Sequence, residues 1–128
     1  MSIKMKHIIL DTNILMAIDQ FHLDVLSQLK QLCDFPYDVC VLDKTMEELE
    51  KIKKEQRGRD KKAAVFALHF IKRFPIPTMS SKEEGTVDDI LAASSKEGYI
   101  IVTQDKELKK RLTKPFITLR KKDHLILQ

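Results

Sequence analysis

The residues of this sequence best suited to chemistry are acids. Asp11 directly follows the apolar run His7-Ile8-Ile9-Leu10, and Asp105 stands three residues beyond Val102 of the run Tyr99-Ile100-Ile101-Val102. Further acids begin the helical stretches that follow strands or loops: Asp43, Glu47, Glu48, Asp88 and Asp89. The histidines (His7, His22, His69 and His124) are scattered, with no i,i+4 pair, which argues against zinc held by His or Cys ligands. Carboxylates without histidine partners are the donors that hard cations such as Mg²⁺ and Mn²⁺ select. The chemistry on offer is therefore that of a divalent ion held by carboxylates.

Helical geometry chooses among neighbouring acids. With Met46, Leu49 and Ile52 on one buried stripe, Glu47 points nearly opposite, while Glu48 sits at the stripe's margin and can face a crevice. Val87, Ile90, Leu91 and Ser94 likewise leave Asp88 at the edge of their face and Asp89 further round. The preferred set is Asp11, Glu48, Asp88 and Asp105, with Asp89 an additional candidate for the metal. Each acid also has a structural role open to it. Asp11 and Asp105 suit helix N-caps, Thr45 to Glu48 fits a capping box, and Thr86 to Asp89 fits its aspartate variant. Capping alone does not require acids from four chain segments to meet. Thr12 and Asn13 could orient Asp11 through hydrogen bonds, and Thr103 could do the same or hold a water. An ordinary strand-to-helix turn has the same composition.

The elements that must position these acids alternate along the chain. His7–Leu10 reads as a buried strand stopped by Asp11-Thr12-Asn13, and Ile14–Ile18 and Leu23–Leu32 read as helices. Val39–Leu42 is a second strand, followed by a helical period through Met46, Leu49 and Ile52. Gly58 interrupts a charged, exposed stretch before a helix carrying Ala64, Ala67, Leu68 and Ile71. Ile76–Met79 is a short strand candidate. Thr86 opens a helix that Gly98 closes as a C-cap glycine. Tyr99–Val102 is the clearest central strand, Asp105–Leu112 a short helix, and Phe116–Leu119 and Leu125–Leu127 are late strands. This alternation predicts an α/β fold: an open, mostly parallel sheet of about five strands flanked by helices on both faces. In such sheets ligands bind outside the carboxyl ends of the strands, where Asp11 and Asp105 fall.

Composition limits the alternatives. The 128 residues suit one domain spanning 1–128, with no repeat, linker or low-complexity tract. No apolar run approaches the roughly 18 residues of a membrane span, and residues 1–7 lack an apolar signal core, so a cytoplasmic location with no membrane is expected. Met5 would serve as a translation start as well as Met1. Cys33 and Cys40 read as reduced thiols. The net charge of +4 and pI near 9.0 favour a polyanionic partner. The cations crowd Lys51–Lys62, Lys109–Lys114 and Arg120–Lys122, although any one such cluster suits a solvated face.

At these residues the sequence resembles the PIN-domain ribonuclease family over nearly the whole chain. Ile9-Leu10-Asp11-Thr12-Asn13 is similar to the family's opening motif, and Thr45-Met46-Glu47-Glu48-Leu49-Glu50-Lys51-Ile52 to its second. Val87-Asp88-Asp89-Ile90-Leu91-Ala92-Ala93 resembles the third, and Tyr99-Ile100-Ile101-Val102-Thr103-Gln104-Asp105 the fourth. The Met-x-Glu-Leu-Glu-Lys phrase, the doubled aspartate and Leu108-Lys109-Lys110-Arg111-Leu112 look like the archaeal and eukaryotic branch related to the pre-rRNA processing nuclease of the small-subunit processome. The resemblance implies Mg²⁺- or Mn²⁺-dependent endoribonuclease activity, with metal-ligand roles for Asp11, Glu48, Asp88 and Asp105. It also implies RNA as substrate, a homodimer, and an antitoxin or a ribosome-assembly protein as partner, since many members are toxins of toxin–antitoxin pairs.

Two metals about 3.5–4 Å apart, or one, would activate a water and stabilise the attacking and leaving oxygens of a phosphodiester. Arg57, Arg59, Lys109 and Arg111 are candidates to hold the RNA backbone around the rim. A phosphatase would want a second acid two residues after Asp11, where this chain has Asn13, and a receiver would want an acidic pair where Asp11 stands alone. The stronger rival is a non-catalytic PIN-like module that binds RNA or protein.

Overall fold

The computed structural model describes residues 4–81 and 85–128. The apolar runs form one sheet of β1 (Lys6–Leu10), β2 (Tyr37–Leu42), β3 (Thr78–Met79), β4 (Ile100–Val102), β5 (Ile117–Arg120) and β6 (His124–Leu127). Their order across it is β3-β2-β1-β4-β5-β6. β1, β4 and β2 pair in parallel at the centre, with Ile8 opposite Val39 and Ile100. Only β6 runs antiparallel, hairpinned onto β5. The sheet thus has six strands rather than about five, because the two-residue β3 is long enough to pair with Val41 and Leu42.

Side-chain alternation divides the core into two layers. Ile8, Leu10, Ile100 and Val102 face α1 (Thr12–Gln20), α2 (Val25–Leu32), α3 (Asp43–Glu55) and α4 (Gly58–Arg73), whose Ile14, Leu29, Leu49 and Ala67 are fully buried. Ile9, Leu42 and Ile101 face α5 (Val87–Lys96) and α6 (Lys106–Lys109) through Ile90, Leu91 and Leu108. Burying a Leu or Ile side chain stabilises by roughly 1.5–3 kcal/mol, so both layers hold the sheet edge rigidly.

Several boundaries differ from the sequence reading: α6 stops at Lys109 rather than Leu112, α2 starts at Val25 rather than Leu23, and β3 covers only the end of Ile76–Met79. Gly58 does more than interrupt a charged stretch: its φ of +65° lets the chain reverse, and α4 begins there. Helix α3 starts at Asp43, with Leu42 at the N-cap position, so Thr45 is buried inside the first turn and the Thr45–Glu48 capping box does not form. Glu48 keeps its carboxylate free of capping. The boundary signals of α5 appear as expected. Thr86 and Asp89 form a reciprocal capping box on α5. Gly98, at φ +102°, closes α5 with Tyr99 N–H donating to the Ser94 carbonyl and its own N–H to Ser95.

Candidate metal-binding carboxylate site

β1 ends where the Asp11 N–H donates to the Val102 carbonyl at 2.9 Å, locking Asp11 against the end of β4. Asp11 has an extended backbone and caps α1, accepting the Thr12 N–H at 2.7 Å. Its other carboxylate oxygen accepts the Thr103 hydroxyl at 2.6 Å. That hydroxyl in turn accepts the Asp105 N–H at 3.1 Å and the Asn13 side-chain amide at 3.3 Å. Thr103 is fully buried, so one threonine at the end of β4 ties together the first and last acids of the set. Asp105 caps α6, accepting the N–H groups of Glu107 and Leu108. The capping roles foreseen for Asp11 and Asp105 therefore exist, and they aim both acids at the same sheet edge.

Glu48 reaches that edge from the second turn of α3. Its Oε1 lies 3.4 Å from the Thr12 hydroxyl, which is also 3.5 Å from the hydroxyl of Thr45. Asp88 reaches it from the first turn of α5.

Electrostatics records the convergence. Burial pushes the Asp11 carboxyl above its usual range; the Thr103 and Thr12 hydrogen bonds oppose this, and repulsion from Asp88 and Asp105 adds to it. Glu48 is raised by burial and then by Asp11, with Asp88 contributing. Asp88 is raised by burial and then by Asp105, with Arg111 pulling the other way. Asp11, Glu48 and Asp88 thus each feel at least one other acid of the preferred set.

Asp89 stands apart. Arg111 donates to it at 2.8 Å, and it accepts the Thr86 N–H, so its carboxyl is lowered, first by Arg111 and then by Thr86. Arg111, proposed for the rim, is occupied with this pair. Lys109 ends α6, within the same flank. Arg57 and Arg59 lie at the α3–α4 junction, and Arg59 lines a groove with Asp19 and His22, at the far end of α1 from Asp11. The structure does not bring them to the carboxylates.

Sequence reasoning missed Gln104. Its N–H donates to the Asn13 side-chain oxygen and its side-chain amide to the Asn13 carbonyl, both at 3.2 Å. These bonds latch the β4–α6 turn onto the first turn of α1. Its place between Thr103 and Asp105 was the available signal. A groove of about 470 Å³ also adjoins Glu48 and Asp88, with Lys44 and Lys51 on its α3 wall. Lys44 spans it, donating to the Gly85 carbonyl at 2.8 Å.

The model of a PIN like domain matches residues 8–122. The chain belongs to the PIN-like domain family. Two archaeal relatives are ribonucleases by name. Ribonuclease VapC9 of Archaeoglobus fulgidus is 33% identical over 109 residues, covering 84% of this chain and 76% of the relative. Ribonuclease VapC4 of Methanocaldococcus jannaschii is 27% identical over 127 residues, covering 94% and 95%. The PIN domain endonuclease Utp24 superposes with a TM-score of 0.72 at 23% identity, over 95% of this chain and 90% of that one. A domain of a functionally unknown protein from Methanocaldococcus jannaschii gives 0.55 at 17% identity, over 82% of each. Both likenesses are of fold. This PIN-like domain has no helix, among the described residues, long and apolar enough to cross a membrane.

The donor set suits a hard divalent ion that keeps its waters. Among the described residues no three His, Cys, Asp or Glu side chains converge tightly enough to clasp a bare cation. Mg²⁺ does not need that, because it keeps several waters and binds through one or two carboxylates plus substrate phosphate. Carboxylates raised by burial, and then by one another, gain from any such charge. The thiols offer no competing site: Cys40 is free and half-buried, and burial, followed by Asp38, pushes it up to about 11.

Proposed function

We propose that this chain is a single-domain, Mg²⁺- or Mn²⁺-dependent endoribonuclease. The observation that carries the reading is the bonded set at one edge of a PIN-like sheet: Thr103 ties Asp11 to the Asp105 turn and Thr12 reaches Glu48, with Asp88 near enough to raise the Asp11 and Glu48 carboxyls. A 33%-identical relative named as a ribonuclease supports RNA as the substrate.

Asp11, Asp105, Glu48 and Asp88 would hold a hydrated ion, one or two of them directly and the others through the waters it keeps. When bound, it supplies charge neutralisation for the phosphate and lowers the pKa of a water it carries. Hydrolysis would add water across one P–O ester bond, leaving a phosphate on one fragment and a hydroxyl on the other. The protein's own part is positional. Thr103 and the Thr12 N–H hold Asp11 in one orientation, and Gln104 and Asn13 keep the Asp105 turn docked. Asp89 serves by holding Thr86 and Arg111 rather than the metal.

Two biological settings use this chemistry: ribosomal RNA processing, with a ribosome-assembly partner, and a toxin neutralised by an antitoxin. The likeness in sequence to the two VapC ribonucleases favours the second. A partner that co-purifies and blocks cleavage would establish it.

The enzyme reading is tested with labelled single-stranded RNA in EDTA, followed by metal re-addition. Cleavage that stops in EDTA and returns with Mn²⁺ or Mg²⁺ is expected. RNA binding without cleavage under every metal would replace it with the binding-module reading.

A further inference from the structure

β5 outruns its neighbour. Val102 of β4 pairs with Ile117, and the Thr103 N–H reaches the Ile117 carbonyl at 3.0 Å. There β4 ends and turns toward the Asp105 cap, whereas β5 continues through Arg120 before folding back as β6. Three residues past Ile117 carry the tip about 10 Å beyond the edge that holds the carboxylates, and it stands two strands, about 10 Å, to the side of Asp11.

The tip has unusual chemistry for a tight hairpin. Arg120 pairs with His124, and Lys121 and Lys122 make the turn at φ +56° and +69°. Consecutive left-handed residues are ordinarily Asn-Gly or Gly-rich, because an L side chain is strained there. Strain of this kind persists where the surroundings enforce it, and here they do. Gln28 of α2 donates to the Asp123 carbonyl and accepts the Leu125 N–H, both at 2.6 Å. Lys122 Nζ lies 5.6 Å from the centre of the Phe21 ring. The turn is therefore a rigid platform whose sequence favours cations over relaxed backbone.

Arg120, Lys121 and Lys122 are all exposed, and none joins an ion pair among the described residues. Asp123 is the only acid in the turn itself. The large exposed apolar side chains are Met5, Phe66, Phe74 and Leu127, all outside the turn. A protein partner normally needs an apolar anchor, whereas a polyanion needs fixed point charges.

We propose that the β5–β6 hairpin tip binds RNA backbone phosphates a few nucleotides from the cut, through Arg120 and Lys121 with Lys122 beside them. The inference rests on the ribonuclease reading and adds a second contact to it. This contact sets where the strand lies rather than how the bond breaks.

The test replaces the turn with the one its backbone prefers. Lys121→Asn/Lys122→Gly is made in the uncleaving Asp11→Asn protein, and binding of labelled single-stranded RNA is followed over a range of salt. The variant is expected to melt at a higher temperature yet bind RNA about tenfold more weakly, with the log–log salt slope reduced by about 1.4 for two lost single-strand contacts. Arg120→Gln/Lys121→Gln, which keeps the turn's backbone demand at Lys122, is expected to weaken binding likewise. Unchanged affinity and slope in both variants would overturn the hairpin's role. In that case metal-dependent cleavage by the unmodified chain would leave the nuclease reading standing. If the unmodified chain neither cuts nor binds RNA, both fall.

Discussion

The hydroxyl of Thr103 donates to Asp11 at 2.6 Å while accepting the backbone N–H of Asp105 at 3.1 Å. One buried side chain therefore fixes the orientation of one carboxylate and the approach of another. Thr103→Val removes the hydroxyl at nearly constant shape, and groups that orient ligands in this way typically contribute 10–100-fold in metal affinity or activity. A loss in that range is expected for Thr103→Val, with Thr103→Ser near wild type. The check is Mn²⁺ titration beside RNA cleavage. Equal metal affinity in all three proteins would contradict the orienting role.

Asp88 and Asp89 are adjacent yet expected to behave oppositely. Asp89→Ala removes half of the capping box and the Arg111 pair, so it should lower the melting temperature and leave Mn²⁺ affinity close to wild type. Asp88→Ala removes a carboxylate raised by burial and then by Asp105, so it should weaken Mn²⁺ binding and leave the metal-free melting temperature unchanged or higher. Melting curves with and without Mn²⁺ separate the two. Weaker metal binding in Asp89→Ala would return it to the ligand set.

The contrast shows what the sequence carried. Asp11 and Asp105 were legible because each follows an apolar strand, and strand ends in an α/β sheet define the crevice. Glu48 was legible through the Met46–Leu49–Ile52 stripe, which left it at the margin. What local pattern could not carry is tertiary. The bonds from Gln104 to Asn13 span the site across 91 residues of chain. The clamp from Gln28 to the β5–β6 turn joins segments that no period relates. The start of α3 at Asp43 depends on Ser81, whose N–H and hydroxyl both bind Asp43 at the helix start. Gly58 gave the right signal of a turn, but its positive φ begins α4 instead of leaving an open stretch.

Asp43, which is bound by Ser81, predicts a pH effect on stability. The Ser81 hydroxyl, at 2.6 Å, is the main cause holding its carboxyl below the usual range. A carboxyl lowered in the folded state stabilises above its unfolded pKa, and that contribution is lost as pH falls through the folded value. Ser81→Ala should therefore melt lower than wild type at neutral pH, and the two should converge under acid. A constant difference down to low pH would mean that Ser81 acts through packing alone.

Thr118 is buried on β5, and its hydroxyl has no partner among the described residues. Leaving such a group unbonded costs about 1–3 kcal/mol. Thr118→Val keeps the shape and the strand preference, so it should stabilise by about 1 kcal/mol in urea unfolding. A loss of stability would mean that the hydroxyl is satisfied.

On the proposed function, the carboxylate cluster at Asp11 cuts RNA with a divalent ion. The most direct measurement is cleavage of labelled single-stranded RNA in Mn²⁺ and in Mg²⁺ by wild type and Asp11→Asn, purified side by side. Metal-dependent cleavage by wild type, with Asp11→Asn reduced by at least about a hundredfold and still folded, is the predicted result. Equal cleavage by the two proteins would contradict it, because the activity would then come from somewhere other than this site.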